Sequence, residues 1–562
     1  MFKQQNRKRK AGIGCLITLL VIIASVWLLS LCLHITPPIV SDIHQLTAKE
    51  ITTAETGERI FNGCFLRQSD PGIWEVYLTG NAFERGIAAG KLEKDLLKYQ
   101  EDVFIEQVKK LIPSEFYLKF LRIFIGVFNR NLAANIADEL KEEIYGMSLS
   151  CTNEYDYIGT PYERQLNYHA AHDIGHAMQD YRLVGCTSFA AWDDATDDST
   201  LLIGRNFDFY MGDDFAKNKT VVFYSPEKGY KFVSVCWAGM TGILSGMNEK
   251  GLTITINASK SSMPAKSATP VSILCREILQ YASTVEEAKQ IAGKRKLFVS
   301  ESILIGSAID KLAIIIEKSP EKEDVYKTSG NWFVSANHFQ SETFLNDERN
   351  LENIRTSDSP YRQQRMEELI SRNKPINPEK VAEILRNKEG LRDENIGLGN
   401  EKSINQLIAH HSVIFKPEQK QIWVSTSPWQ LGAYVCYDLN KIFAAPDFST
   451  EIKIGHLTIA PDTFLNTTDY TEFLFYREYR KKLKEIIHKK EPANEEDIDR
   501  FINSNPELYL VYELVGDFYA SQKQYNQARE YWKCALEKEI PTLAEKEAIK
   551  KRLCEFSGNL KK

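Results

Sequence analysis

Two neighbouring runs of residues constrain this chain most, because both resemble strands and the first opens on a cysteine. Residues 185–192 have the sequence GCTSFAAW, and residues 202–209 have the sequence LIGRNFDF. Short, largely apolar runs bounded by polar residues predict β-strands. The pattern therefore predicts a pair of strands that holds Cys186 at the start of one strand, with Arg205 and Asp208 on the next.

The chemistry of Cys186 explains why these residue types matter together. A thiol attacks as the thiolate, and a free cysteine with a pKa near ~8.5 is mostly protonated at neutral pH. If the peptide bond between Gly185 and Cys186 is cut, the new α-amino group, with a pKa of roughly 7.7 to 8.0, lies within reach of its own thiol. Arg205 would favour the thiolate, and Asp208 would accept hydrogen bonds from the amine. Cys186 is thus predicted to be nucleophile and base in one residue.

The two runs resemble N-terminal-nucleophile hydrolases, in particular the penicillin acyltransferase-like (peptidase C45-type) families and the related choloylglycine hydrolases. Other segments resemble the same families, in the same order along the chain. They are the opening motif 80–92 (GNAFERGIAAGKL), the helix 139–147, the hairpin 247–257 (MNEKGLTITIN), the strand 333–339 (FVSANHF), the helix start 359–365 (SPYRQQR) and the closing hairpin 413–417 with 421–425. The resemblance covers roughly residues 60 to 440.

The resemblance implies three more site residues. Asn257 takes the position of the oxyanion-hole asparagine, and Asn337 that of a second active-site asparagine. Arg362 takes the position of a late active-site arginine, with Arg365 as the alternative. Preorganised amide donors stabilise an oxyanion by ~2.7 to 4 kcal/mol each. An isolated asparagine at a strand end more often bonds to backbone, so the prediction for Asn257 depends on the whole constellation.

The resemblance also implies a fold and a reaction. The expected fold is α+β, a four-layer αββα sandwich in which residues 60–185 remain bound as an α-chain after the cut and residues 186–445 form the nucleophile core. The expected reaction is hydrolysis or acyl transfer of a linear amide through a thioester on Cys186, with no cofactor and no metal. The alternative from another class is an inactive, membrane-anchored interaction protein, against which the retained Cys, Arg and Asp argue.

The first 33 residues predict a membrane anchor. A basic segment, 1–10, precedes an almost uninterrupted apolar run over 11–33, which exceeds the ~20 residues needed to cross a bilayer. The positive-inside rule places the basic segment in the cytoplasm and the bulk of the chain outside. Because acyl-CoA is expected to be scarce there, hydrolysis ranks above acyl transfer. The bulky Leu31 makes Cys32 a poor lipoprotein-type site, so an uncleaved transmembrane helix is predicted.

The C-terminal part, 446–562, has a charged, helix-forming sequence. Residues 514–541 have the spacings of one tetratricopeptide unit. A single unit cannot bury both of its faces, so we expect it to pack on helices of its own chain, with a protein partner as the alternative. The net charge of −6 on 562 residues, without a basic stripe or phosphate-binding glycine loop, argues against nucleic acid and nucleotide. A small-molecule amide is the predicted substrate.

Two groups of metal-binding or disulfide-forming residue types stay open to interpretation. His169, His172 and His176 lie just before the cut, and an i, i+4 histidine pair can bind zinc. The H-E-x-x-H frame is absent, so packing or hydrogen bonding is the favoured role. The chain has ten cysteines. The spacing is irregular, so the sequence leaves open whether Cys64, Cys151, Cys236 and Cys436 form disulfides.

Overall fold

Strands and helices alternate along the chain in the computed structural model, which describes residues 34–41, 43–55, 57–111, 114, 126, 129, 132–170, 185–260, 268–444 and 450–557. The predicted α+β class is confirmed in these residues. Their helices, numbered in chain order, are α1 Ile43–Ala48, α2 Ala82–Leu92, α3 Lys94–Leu111, α4 Asp138–Ser148, α5 Pro161–His169, α6 Val271–Tyr281, α7 Val285–Gly293, α8 Glu342–Leu345, α9 Glu348–Thr356, α10 Ser359–Asn373, α11 Pro378–Leu385, α12 Leu439–Ala444, α13 Thr468–Lys489, α14 Glu495–Ser504, α15 Tyr509–Ser521, α16 Tyr525–Glu537 and α17 Leu543–Ser557.

The larger sheet joins strands from both sides of Cys186. Within the described ranges it has eleven strands, in the order β1-β2-β3-β4-β7-β8-β9-β10-β11-β12-β13. They are β1 Thr52–Thr53, β2 Arg59–Phe61, β3 Cys64–Gln68, β4 Trp74–Gly80, β7 Lys219–Pro226, β8 Phe232–Trp237, β9 Ser245–Asn248, β10 Leu252–Ala258, β11 Glu301–Ser307, β12 Leu312–Lys318 and β13 Glu323–Tyr326. All neighbours are antiparallel except β4 and β7, which run parallel and join the N-terminal strands to the rest.

The smaller sheet contains the strand pair that was predicted from residues 185–192 and 202–209. Among the residues described, it has six antiparallel strands in the order β14-β5-β6-β15-β16-β17. They are β5 Thr187–Asp193, β6 Ser199–Phe207, β14 Trp332–Ser335, β15 His411–Lys416, β16 Gln421–Ser425 and β17 Tyr434–Asp438. In the β5–β6 register Ser188 lies opposite Arg205. The predicted strand pair is therefore present, with Cys186 immediately before β5.

The two sheets pack face to face, and helices cover both outer faces. Phe223 and Ile315 of the larger sheet share one buried apolar cluster with Val413 and Ile422 of the smaller sheet. The outer face of the larger sheet packs on α2 and α6, and that of the smaller sheet on α10 and α11. Because each sheet is covered on both faces, its strands are apolar along most of their length. The arrangement is the expected four layers, helix, sheet, sheet and helix.

The opening motif 80–92 forms a helix that packs unusually close to α4. Asn81 and Glu84 make a capping box that starts α2. A Cβ on Gly86 would lie 2.1 Å from the backbone oxygen of Glu143, so the two helices can approach only because glycine is present there. Arg85, fully buried, donates to the Glu143 carboxylate at 2.6 Å. The motif 80–92 is therefore explained by helix packing in the segment before Cys186.

The C-terminal helices α13–α17 form their own apolar cluster and pack on loops of the sheet-containing part of the chain. Leu407 and Leu431 belong to the same cluster as the helical residues. The side chain of Asn505 donates to the Leu398 oxygen at 2.8 Å, and that of Asn400 to the Glu539 oxygen at 2.9 Å. The tetratricopeptide-like unit, α15 and α16, thus packs on helices of its own chain.

The prediction of a transmembrane helix and of a single-pass membrane location was wrong. In the part of the chain that the structure describes, no helix combines the length and the apolar character that crossing a bilayer requires. Residues 1–10 and 11–33, to which the prediction applied, lie outside the described residues.

Candidate active site

Cys186 lies in the short segment that enters β5 and is fully buried. Its Sγ atom is 3.8 Å from Nη2 of Arg205, which donates to it. Burial raises the pKa of the Cys186 thiol to about 11, and the positive charge of Arg205 opposes this rise. The thiol in the uncut chain is therefore protonated at neutral pH, and it needs a base before it can attack.

Arg205 is held rigidly beside the thiol. Its Nη1 donates to the Leu244 oxygen at 2.9 Å and to Oγ of Ser245 at 2.6 Å. Its Nη2 also donates to the oxygen of Ile256. The guanidinium lies over the ring of Phe207, 4.3 Å from the centroid, which adds a cation–π contact. These contacts hold a positive charge next to the thiol without rearrangement.

Asp208 is a buried carboxylate that lacks a donor. Its side chain is fully buried, and neither oxygen has a hydrogen-bond partner among the described residues. Burial raises the pKa of Asp208 to about 7, while Arg362 and Arg205 lower it. The backbone oxygen of Asp208 accepts from the N–H of Gly185 at 2.9 Å, so Asp208 lies beside the bond between Gly185 and Cys186. An unpaired buried acceptor is costly, and a new amine at Cys186 would supply the missing donor.

Asn257 lies at the end of β10, where its side-chain amide joins the two sheets. Its Nδ2 donates to Oγ of Ser188 at 2.9 Å and to the backbone oxygen of Ser335 at 2.9 Å. Its Oδ1 is buried without a partner in the described structure. Both N–H donors are thus engaged away from the thiol, and an oxyanion role requires the amide to turn.

Arg362 and Asn337 form a second polar group at the thiol. Nη1 of Arg362 donates to the backbone oxygen of Cys186 at 2.8 Å and to Oγ1 of Thr187 at 2.7 Å. Its Nη2 donates to Oδ1 of Asn337 at 2.8 Å. Asn337 in turn donates from Nδ2 to the Ala258 oxygen at 2.8 Å. The group connects the start of β5, the end of β10 and the start of α10.

The structure separates the two arginines that the sequence left as alternatives. Arg365 lies one turn further along α10 and is also fully buried. It donates to Oδ1 of Asp393 at 2.6 Å and to Oδ1 of Asn387 at 3.0 Å. Arg362 thus contacts the Cys186 backbone, whereas Arg365 bonds to a loop that follows α11.

A buried network behind Arg205 was missed by the sequence analysis. Ser245, which accepts from Arg205, also bonds to Nε2 of His411 at 2.8 Å, and Nδ1 of His411 lies 2.9 Å from Nδ1 of His410. Burial lowers the pKa of His410 to about 3, and that of His411 falls well below its ordinary value for the same reason. Both rings are therefore neutral. The adjacent histidines at the start of β15 were the available sequence signal.

Gln406 was also not indicated by the sequence, although this residue contacts the peptide bond between Gly185 and Cys186. Its Nε2 donates to the backbone oxygen of Gly185 at 2.8 Å, and the side chain is buried. A Cβ on Gly185 would lie 2.6 Å from that Nε2, so glycine is what allows the approach. No local pattern marks a glutamine that lies so far along the chain from its partner.

His169, from the histidine cluster, has a structural role in the described residues. Its Nδ1 donates to the Gln165 oxygen at 2.7 Å, and its Nε2 accepts from the Thr241 N–H at 2.9 Å. Burial lowers the pKa of His169 to about 4, so the ring stays neutral. His172 and His176 lie outside the described residues. The four cysteines that the spacing left open, Cys64, Cys151, Cys236 and Cys436, are free thiols in the described structure.

A small cleft is lined in part by Phe209. Its volume is about 30 Å³, well below the roughly 300–1,000 Å³ of typical ligand pockets. Aromatic rings dominate one wall, where Phe209, the residue after Asp208, stacks on Trp237 with ring centroids 5.9 Å apart. The remaining wall is lined by Leu97, Gln100, Glu101, Phe104, Gln165, Tyr168, Phe215, Ala238, Gly239 and Met240. The cleft is thus largely apolar, with a few polar groups.

Comparison with known proteins supports the resemblance. Residues 195–427 match the family described as Acyl-coenzyme A:6-aminopenicillanic acid acyl-transferase. The match confirms the predicted resemblance to the penicillin acyltransferase-like families. Cys186 lies before the first matched residue. The matched range includes Arg205, Asp208, Asn257, Asn337 and Arg362.

Relatives share part of this chain. An uncharacterized protein of Archaeoglobus fulgidus is 25% identical over 267 residues, which is 45% of this chain and 44% of the relative. Protein dcd1B of Dictyostelium discoideum is 26% identical over 232 residues, which is 38% of this chain and 44% of the relative. This chain thus spans less than half of the length of either relative.

Solved structures give weaker likenesses. The Caenorhabditis elegans ortholog of N-acylethanolamine-hydrolyzing acid amidase is 19% identical, with a TM-score of 0.31, covering 42% of this chain and 93% of its own. Penicillin V acylase from Agrobacterium tumefaciens is 15% identical, with a TM-score of 0.31, covering 46% of this chain and 87% of its own.

Proposed function

We propose that this relative of the penicillin acyltransferase family is a cysteine amidohydrolase that cuts its own chain between Gly185 and Cys186 and then cleaves linear amides. The observation that carries the proposal is Asp208, whose backbone oxygen accepts from the Gly185 N–H and whose buried carboxylate has no donor among the described residues. Cutting the bond creates an α-amino group, which is the donor that this site lacks.

Turnover then proceeds from the free amino terminus of Cys186. The α-amine takes the thiol proton, Arg205 stabilises the thiolate, and Sγ attacks the substrate carbonyl carbon. The ammonium returns its proton to the leaving amine as the carbon–nitrogen bond breaks, which leaves a thioester. Water adds to the thioester and releases the acid. Asp208 accepts a hydrogen bond from the amino group throughout and keeps it directed at the sulfur.

The remaining polar residues hold the site together. Arg362 fixes the Cys186 backbone and, through Asn337, the end of β10. The amide donors of Asn257 face Ser188 and Ser335. Asn257 therefore turns its amide toward the substrate when it donates to the oxyanion. The proposed catalytic set is Cys186, Arg205, Asp208, Asn257, Asn337 and Arg362, without a metal or cofactor.

The aromatic lining of the cleft favours an apolar acyl group on the substrate. Stacked rings contact aliphatic or aromatic carbon better than charge, although the cleft must widen to admit such a group. N-acyl amino acids and similar linear amides carry an apolar acyl group of this kind. We expect release of free amine from such compounds to rise with the apolar area of the acyl group.

Acyl transfer is the second candidate, and the family description favours it. The same thioester can be resolved by an amine instead of water. Adding an amine acceptor during turnover distinguishes the two, because transfer yields a new amide at the expense of the free acid. If the acid forms at an unchanged rate, hydrolysis is the reaction.

Intact mass and amino-terminal sequencing of the purified protein test the proposal. We expect a chain that begins at Cys186 in the wild type and none in C186A. The control is C275A, which removes another buried cysteine, in α6, and should be cut normally. A wild type that stays uncut and releases no amine from N-acyl amino acids would overturn the proposal and favour an interaction protein.

A further inference from the structure

Gln406, in a loop far along the chain from Cys186, donates a hydrogen bond to the peptide bond that we propose is cut. Nε2 of Gln406 donates to the carbonyl oxygen of Gly185 at 2.8 Å, and it is the side-chain donor that the described residues offer to that oxygen. The N–H of the same glycine donates to the Asp208 oxygen at 2.9 Å. Both backbone polar groups of Gly185 are therefore fixed in the uncut chain.

The position of Gln406 matches the charge that self-cleavage develops. When a nucleophile adds to a peptide carbonyl, negative charge collects on the oxygen, and a preorganised donor there lowers the barrier. Asn257, which the resemblance implies for this role on external substrates, has its donors on Ser188 and Ser335. Gln406 is the side chain that contacts the Gly185 oxygen.

We propose that Gln406 is the oxyanion donor for the self-cleavage reaction, an inference that rests on the proposed function. Sγ of Cys186 adds to the carbonyl carbon of Gly185, and Gln406 stabilises the resulting oxyanion. The carbon–nitrogen bond then breaks, and the thiol proton goes to the departing nitrogen of Cys186. The product is a thioester between the Gly185 acyl group and Sγ. Water adds to it, the carbon–sulfur bond breaks, the thiol regains a proton and Gly185 ends as a carboxylate.

The loop around Gln406 is built to hold the amide in place. Oδ1 of Asn405 accepts from the N–H of Leu407 at 3.0 Å, and its Nδ2 donates to the Arg386 oxygen at 3.3 Å. Arg477 of α13 donates to the Leu407 oxygen at 3.1 Å. Gln406 is thus enclosed by bonds on both sides, which supplies the preorganisation that an oxyanion donor needs.

The test is the rate at which the uncut chain disappears, followed by intact mass. Q406A and Q406E should slow self-cleavage on the order of 10²–10³-fold, as loss of one oxyanion donor does in other enzymes. Glutamate donates only when protonated, so the ratio of the Q406E rate to the wild-type rate should rise as the pH falls toward the carboxyl pKa of about 4.3. A merely structural role would not produce this pH-dependent rescue.

Q280A is the matched control. Gln280, in α6, is also buried and donates from Nε2 to a backbone oxygen, that of Lys228, at 2.8 Å. Its removal should lower stability without slowing the cut.

The outcomes separate the two proposals. A wild type that stays uncut contradicts the proposed function itself. A wild type that is cut, with Q406A and Q406E cut at the same rate, overturns only the role of Gln406. Equal slowing in Q406A and Q280A also overturns it, because the effect would then follow from lost stability.

Discussion

Three ionisable side chains at the site are removed from solvent, which disfavours their charged forms. Asp208, Arg205 and Cys186 are all fully buried, and burial shifts the pKa of each toward the neutral form. Such shifts are characteristic of functional sites, where stability is given up for chemistry. The free energy of unfolding of this protein should therefore depend on the charge state of Asp208.

Replacing Asp208 by Asn should stabilise the uncut protein at neutral and alkaline pH. The pKa of Asp208 rises from 3.8 to about 7 on folding, so its stabilising contribution is complete below about pH 4 and is lost as the pH rises through 7. In a C186A background, D208N should raise the free energy of unfolding above pH 7, on the order of 1.4 kcal/mol for each pKa unit removed. Denaturant unfolding at several pH values measures this.

The same titration contains its own control. The difference between D208N and its parent should shrink as the pH falls toward 4, where both side chains are neutral. A D208N protein that is less stable at every pH would show that the folded state favours the charged carboxylate, contrary to the raised pKa. In the Cys186 protein, D208N should abolish amide turnover despite any gain in stability.

Arg362 and Arg365 should differ in the property that their loss affects. R362Q removes bonds to the Cys186 oxygen, Thr187 and Asn337, so kcat/KM for amides should fall about a hundredfold or more. R365Q removes the bonds to Asp393 and Asn387 and should cost roughly 1–3 kcal/mol of stability with kcat little changed. Kinetics and thermal unfolding of both variants test the assignment, and it is wrong if R365Q has the larger kinetic effect.

At the scale of helices and strands, the sequence predicted elements that have a local pattern, but not contacts between distant segments. The β5–β6 pair follows from local pattern, and α10 with its arginine follows from a family-like motif. Gln406 and the Ser245–His411 pair depend on contacts between segments far apart in the chain, for which no local pattern exists. The Asn257 side chain was placed correctly at a strand end, but which way its amide points depends on Ser188 and Ser335 across the two sheets.

The helix pair α15–α16 should tolerate no side chain at Gly516. A Cβ there would lie 2.5 Å from Nε1 of Trp532, whose ring is fully buried. G516A should therefore destabilise the protein by about 1–3 kcal/mol, although alanine favours helix. Thermal unfolding of G516A in the W532A background is the control. If the cost persists there, the contact with Trp532 is not its cause.

At the scale of the whole molecule, the C-terminal helices contact the loops around the candidate site through Arg477. Arg477 of α13 donates to the Leu407 oxygen and forms an ion pair with Asp213, five residues after Asp208 in the chain. It also lies over the Trp429 ring, 4.9 Å from the centroid. One side chain of the helical region thus holds both loops that flank the bond between Gly185 and Cys186.

Removing Arg477 should weaken this coupling. R477A should lower the melting temperature and slow self-cleavage several-fold, because the Leu407 loop loses a donor that keeps Gln406 in place. R500A is the matched control, since Arg500 of α14 is half-exposed and pairs only with Glu472 in the described structure. Self-cleavage that is unaffected in R477A would show that the helical region acts on stability alone.

The parallel pairing of β4 with β7 also determines how a matured molecule can come apart. Seven residue pairs, from Trp74 with Thr220 to Gly80 with Pro226, bind the segment before the cut to the segment after it. Once the bond at Cys186 is broken, two polypeptides share one continuous sheet, and unfolding becomes a dissociation. The melting temperature of the mature form should then depend on protein concentration, whereas that of the uncut precursor should not.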